Sequence, residues 1–164
     1  MILKGFWDKG AAIRYFLRDK QFSYSVDLGP GSGMLGSFLK PHTSHLVGVD
    51  YVPQKFILQN GYDEFVQSYI QDYAFPPQCD SVFMLDSIEH MLDEDGVKVL
   101  ERIGTDRYIM ITTPSKMRPS NPMFNPHISV WNRAKLEALG FQVYNYMYLV
   151  FLRDLISIRE AQKP

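Results

Sequence analysis

Along the chain, apolar runs of strand length alternate with stretches whose apolar positions recur at helical intervals. Residues 10–20 place Ile13, Phe16 and Leu17 at i, i+3, i+4 spacing, which predicts an amphipathic helix. Residues 24–28 read as a strand, and 33–39 as a helix that stops before Pro41. The run HLVGVD (45–50) is a strand ending in an acid. Pro53, suited to a first helical position, opens a helix towards Asn60-Gly61. Strands over 65–70 and 81–85 follow, then a helix over 93–103 whose first turn is acidic, as the helix dipole favours. A strand over 108–113, a helix over 132–139 ended by Gly140, a strand over 141–149 and a weakly helical tail over 153–162 complete the pattern.

Such alternation predicts an α/β protein with a doubly wound, mainly parallel sheet carrying helices on both faces. The connection between the strands at 65–70 and 81–85 is near the minimum for a crossover, so a turn is the most it holds. No seventh strand is evident after residue 149. Either LVFLRDLISI (149–158) supplies a short one, or a partner chain, a second copy included, completes a truncated sheet edge.

Composition narrows the function classes. The 164 residues are one domain's worth, and 46% hydrophobic with 21% charged residues is ordinary for a globular chain. A formal charge of -1 argues against nucleic-acid binding driven by bulk electrostatics. The lone Cys79 forms no internal disulfide, and no Cys/His group has zinc-ligand spacing, so no metal is expected. Lys4, Asp8 and Lys9 interrupt the first ten residues, which therefore lack a signal-peptide core, and no apolar run reaches membrane-spanning length. The expectation is one soluble, cytoplasmic domain over 1–164.

The chemistry concentrates in DLGPGSG (27–33), with three glycines and a proline in seven positions directly after a strand. Each glycine costs backbone entropy, a cost that makes sense where the chain turns sharply and a ligand lies close to it. In doubly wound sheets ligands bind outside the carboxyl ends of the strands, and the following helix N-terminus suits an anionic group. Asp50, about twenty residues on, ends the second strand where a carboxylate can accept from both hydroxyls of a ribose. Gly33 is followed by Met34 rather than by the Gly-Lys-Ser/Thr ending of a P-loop, and the dinucleotide fingerprint would need glycine at 34.

The pattern acid-x-Gly-x-Gly-x-Gly from Asp27 to Gly33 resembles motif I of the class I S-adenosylmethionine-dependent methyltransferases. QDYAFPPQCDSVFMLDSIEHM (71–91), TTPS (112–115) and NPHISVWNRAKLEALGF (125–141) are similar to segments of the small-molecule group related to quinone-biosynthesis enzymes. The resemblance covers roughly residues 24–145. It implies a Rossmann-like domain that passes a methyl group from S-adenosylmethionine (SAM) to a small-molecule acceptor by in-line displacement, leaving S-adenosylhomocysteine (SAH). It also implies roles for residues. The backbone at Gly29 and Gly31 lies against the methionine part, whose ammonium is held partly by Asp27 or the Gly29 carbonyl, and Gly33 belongs to the same cofactor-binding turn. Asp50, with Tyr51 beside it, takes the ribose, Asp72 and Tyr73 the adenine edge, and Asp86 approaches the methionine end. Residues 113–130 form the substrate-side loop, 1–20 the helix that lids the cofactor, and His90 and His127 are the candidate catalytic groups.

Several of these positions also have a structural reading. Asp50 can cap the next helix, Asp86 the turn containing Ser87 and Glu89, His90 can be a structural partner of Glu89, and His127 can pin its loop to Trp131. The chain's brevity likewise supports a methyltransferase-like protein that binds cofactor or partner without catalysis.

Overall fold

The computed structural model describes residues 9–53, 57–117, 126–148 and 152–162. The described elements run α1 (Lys9–Leu17), β1 (Phe22–Leu28), α2 (Gly36–Leu39), β2 (Thr43–Asp50), β3 (Glu64–Gln67), β4 (Ser81–Leu85), α3 (Asp93–Ile103), β5 (Tyr108–Pro114), α4 (Arg133–Ala138), β6 (Gln142–Tyr148) and β7 (Leu152–Arg159). The strands form one seven-stranded sheet in the order β3-β2-β1-β4-β5-β7-β6. β1 to β5 are mutually parallel, and β7 runs antiparallel to both β5 and β6.

Two cores sandwich the sheet. Val82 and Met84 of β4 point to one face, where Val99, Leu100 and Ile103 of α3, Leu136 of α4 and Trp131 cover them. Phe83 and Leu85 point to the other, under Ala12, Ile13 and Leu17 of α1. All five residues of β4 are buried, as expected of a central strand covered on both faces. Trp131 is fully buried against Gly96 of α3, where a Cβ would stand 2.3 Å from its ring. Glycine inside that helix weakens it by roughly 0.5–1 kcal/mol relative to alanine, and here it admits the indole.

Three expectations are corrected. The segment after the glycine turn is helical only over Gly36–Leu39, because left-handed backbone at Gly33 (φ 76°) delays the helix. After Pro53, the described residues hold one 3₁₀ turn, Ile57–Asn60, and positions 54–56 lie outside the described residues. The tail is neither weakly helical nor truncated: residues 152–159 are β7, so this chain supplies its own seventh strand. Residues 154–158 are buried on both faces, which removes the polar alternation by which a half-exposed strand is recognised. That strand also removes the edge defect that motivated a completing partner and a non-catalytic reading. No helix among the described residues is long and apolar enough to cross a membrane.

Candidate functional site

Parallel pairing of β1, β2, β4 and β5 brings their carboxyl ends to one side of the sheet. There the chain leaves β1 through a loop in which Gly29, Gly31 and Gly33 all have positive φ (73°, 55° and 76°), a conformation that costs other residues roughly 1–2 kcal/mol each. The three glycines do different jobs. A Cβ at Gly29 would meet Ser87 at 2.7 Å, and one at Gly33 would meet Ile57 at 2.9 Å and Tyr62 at 3.2 Å, so both are packing positions. A Cβ at Gly31 would meet nothing within 4 Å. Its bare backbone faces open space.

One carboxylate borders that space, and a second stands near the end of the strand that leads into the loop. Asp50, 8% exposed, accepts from the Gly31 N–H through Oδ2 (3.2 Å) and from the Val52 N–H through Oδ1 (3.0 Å). An ionised carboxylate offers about four lone-pair sites, so two remain for a ligand. Asp27, 1% exposed, accepts from the Tyr62 hydroxyl through Oδ2 (2.6 Å), while its buried Oδ1 has no partner among the described residues. Burial pushes the Asp27 carboxyl up to about 7, against the Tyr62 bond, which favours the ionised form. A buried acceptor without a donor is costly unless a ligand supplies one.

Farther along the strand ends, Tyr51 and Tyr69 stack with ring centroids 5.5 Å apart and planes 7° from parallel. Both are more than half exposed, and with Gln67 and Ser68 they line a cleft of about 280 Å³. Asp72 is exposed, its N–H bonded to the Tyr69 carbonyl at 3.0 Å, whereas the Tyr73 ring lies in the core edge-on to Phe75. Burial raises the Tyr73 hydroxyl above the usual phenol range.

Beyond β4, Asp86 has left-handed backbone (φ 58°), which a non-glycine residue adopts at a cost in strain. Its Oδ1 accepts from the Thr112 hydroxyl (2.8 Å) and its Oδ2 pairs with Lys9 of α1. The next turn, Ile88–His90, turns Glu89 inward and leaves His90 half-buried. Glu89 is 2% exposed with neither side-chain oxygen hydrogen-bonded among the described residues, and burial pushes its carboxyl up to about 7. His127 lies beside His90, ring centroids 4.8 Å apart.

No protein-family model and no curated protein matches the chain. Solved structures do. The chain is similar to Burkholderia thailandensis 1,6-didemethyltoxoflavin-N1-methyltransferase, determined with 1,6-didemethyltoxoflavin and S-adenosylhomocysteine bound (TM-score 0.70, 16% identity, 94% of this chain and 76% of that one). It is similar to the N-methyltransferase NodS from Bradyrhizobium japonicum WM9 in complex with the same product (0.70, 9%, 94% and 86%). It also resembles the small RNA methyltransferase HEN1 (0.67, 17%, 93% of this chain but 25% of that one). This is the class I methyltransferase fold.

Within that methyltransferase fold, the strand ends bring Asp27, the three glycines, Asp50, Tyr51 and Asp72 to one side. Asp86, His90 and His127 stand beyond β4, and the Tyr73 ring is turned into the core. Residues 1–8 of the expected lid and 118–125 of the expected substrate-side loop lie outside the described residues. Sequence reasoning missed Tyr62, which binds Asp27, Tyr69, which stacks on Tyr51, and Lys9 and Thr112, which hold Asp86. These are contacts across the fold, and no spacing along the chain announces them. It also passed over Glu89 as more than a neighbour of His90, although a glutamate inside an apolar turn is a signal in itself.

Proposed function

We propose that this chain is a SAM-dependent methyltransferase acting on a small-molecule acceptor, with 1–164 as one catalytic unit. One observation carries the reading: the open space over the left-handed Gly31 backbone, bordered by a strand-end carboxylate with two lone pairs to spare, in a loop that follows directly on a buried Asp27 oxygen without a donor among the described residues. That donor set suits a ribose diol on Asp50 and an amino-acid ammonium on Asp27. α2, at four residues, is too short to add an anion site of its own, and the N–H groups of Gly29, Gly31 and Gly33 already donate to Val49, Asp50 and Pro30, so the bound carboxylate would rest on the N–H groups of Ser32 and Met34. The Tyr51–Tyr69 pair offers an apolar wall for a purine, with Asp72 at its rim.

When bound, SAM supplies a sulfonium methyl electrophilic enough to pass in line to an acceptor, leaving SAH. The protein's part is chiefly alignment, worth up to about 7–11 kcal/mol of barrier in well-oriented systems. Asp50 and Asp27 fix the two ends of the nucleoside amino acid. Asp86, tied to Thr112 and Lys9, stands at the end of β4 where its negative charge would favour the cationic donor end. His90 and His127 are the proposed groups on the acceptor side, His90 held by its Nδ1 contact with the Pro126 carbonyl at 3.0 Å. The single free cysteine, buried Cys79, suits a reducing cytoplasm, the compartment we assign.

Incubation with tritiated-methyl SAM and fractionated cell extract tests the proposal. Label in the small-molecule fraction supports it, and label confined to RNA or protein redirects the acceptor class. No SAM binding at millimolar concentration, with no transfer in any fraction, removes the reading altogether.

A further inference from the structure

We propose that Arg102, in the last turn of α3, is a positioning residue for the purine base, acting through the main chain on either side of Asp72. The inference rests on the SAM reading and deepens it at the adenine end.

The connection from β3 to β4, residues 68–80, contains no helix, so its main-chain groups need partners from elsewhere. Its start is fixed beside the ribose carboxylate, because the Ser68 N–H donates to the Asp50 carbonyl at 3.1 Å. The N–H groups of Asp72 and Tyr73 both donate to the Tyr69 carbonyl, at 3.0 and 3.2 Å, closing a turn that carries exposed Asp72. Arg102 grips this turn. Its Nη1 donates to the Gln71 carbonyl and its Nη2 to the Tyr73 carbonyl. Those two carbonyls flank Asp72 in the chain, so one guanidinium holds the residue from both sides.

Arg107 ties down the far end of the same connection. Its Nε donates to the Cys79 carbonyl at 2.9 Å, and its guanidinium stands 5.9 Å from the centre of the Phe75 ring. Two arginines from the α3–β5 side thus replace the helix that the connection lacks. Arg102 is the one that bears on the ligand, because its carbonyl partners adjoin the residue at the adenine edge.

A cation in the last turn of α3 also suits the helix dipole, whatever its type. Fork geometry separates that plain structural role from the positioning one. Lysine would keep the charge at the helix end, but its ammonium is a point charge on a flexible stem, whereas guanidinium presents its donors in a rigid plane. Asp72 held in place accepts from the 6-amino group of adenine and faces a 6-oxo group acceptor to acceptor. On a loose turn it swings away, and ordering it at the moment of binding costs much of what the hydrogen bond gains.

Calorimetry with SAH and with S-inosylhomocysteine, which carries oxygen in place of the 6-amino group, tests the inference. Wild type should prefer SAH by about tenfold or more, the worth of one hydrogen bond to a charged group. Arg102→Lys should bring the two ligands within about threefold, chiefly by weakening SAH. It should leave the preference for SAH over its 2′-deoxy form unchanged and keep a cooperative melt. Arg102→Gln should behave alike, and in both variants the Asp72 and Tyr73 N–H groups should exchange hydrogen faster. In an Asp72→Ala background, Arg102→Lys should alter base preference no further. Base preference that survives Arg102→Lys overturns the inference, as does a loss of affinity equal for both ligands. A wild type that binds SAH yet treats the two bases alike overturns the adenine reading as well, and one that binds neither removes the SAM reading with it.

Discussion

Removing the carboxylate at position 50 is the sharpest perturbation available. Its two oxygens already accept one main-chain N–H each, from Gly31 and Val52. The two lone pairs left over match the two ribose hydroxyls one for one. Asp50→Ala removes both charged acceptors, and at about 1.5–3 kcal/mol net for each hydrogen bond to a charged group the two together predict roughly 150- to 25,000-fold weaker SAM binding. Asp50→Asn is not a mild alternative: one end of the amide must face either the Gly31 or the Val52 N–H donor to donor, so the loop is disturbed as well. Calorimetry with SAH, where no turnover complicates the heats, measures both. The stronger form is a cycle with 2′-deoxy-SAH. Wild type should discriminate against the deoxy ligand, and Asp50→Ala should not. An alanine variant that melts like wild type and binds within about twofold of it refutes the ribose assignment, as does discrimination that survives the substitution.

Other substitutions separate packing from ligand approach within the loop. Gly31→Ala adds a methyl to open space, so it should cost roughly the 1–2 kcal/mol of left-handed strain in urea unfolding yet weaken SAM binding further by filling the ligand's approach. Gly33→Ala adds a clash with Ile57 and Tyr62 to the same strain and should destabilise by about 2–5 kcal/mol. Tyr62→Phe removes the donor to a buried carboxylate and should cost about 1–3 kcal/mol, with Asp27 titrating higher by NMR. With Asp27 near 7, protonation removes the negative partner of the ligand ammonium, so SAM affinity should fall by up to about tenfold per pH unit below 7, read by calorimetry. The free protein carries the opposite slope. Asp27 and Glu89 hold protons that the unfolded chain releases near pH 4, so its stability should decline as pH rises from about 4 to 7, and saturating SAM should flatten the Asp27 share in thermal melts.

The part of this molecule governed by local rules could be read from the chain. The acidic first turn of α3 and its apolar spacing predicted residues 93–103, and the helix is Asp93–Ile103. The glycine turn was legible because positive φ selects glycine wherever it occurs. Asn132, a residue type favoured for capping, accepts the Lys135 N–H at 3.0 Å where a helix start was expected. What failed was set by the rest of the fold. β7 lost its alternating signature because it is covered on both faces. The orphan oxygen of Asp27 and the meeting of Glu89, His90 and His127 depend on which strands neighbour which. The ring of Tyr73, a residue the resemblance places at the adenine edge, packs edge-on to Phe75 in the core, a contact that its place after Asp72 does not announce.

The place of β7 also constrains how the molecule assembles. Among the described residues, β6 is hydrogen-bonded to the sheet through β7 alone, and β7 is made after it. On the ribosome, the growing sheet therefore carries an open flank at β5 until the hairpin has emerged, and the two strands join together or not at all. A cut or a stalled message just before Leu152 would strand β6 without a ladder and leave the β5 edge open to other chains. Proteolysis or early termination at that point should thus yield aggregate rather than a weakened but folded domain.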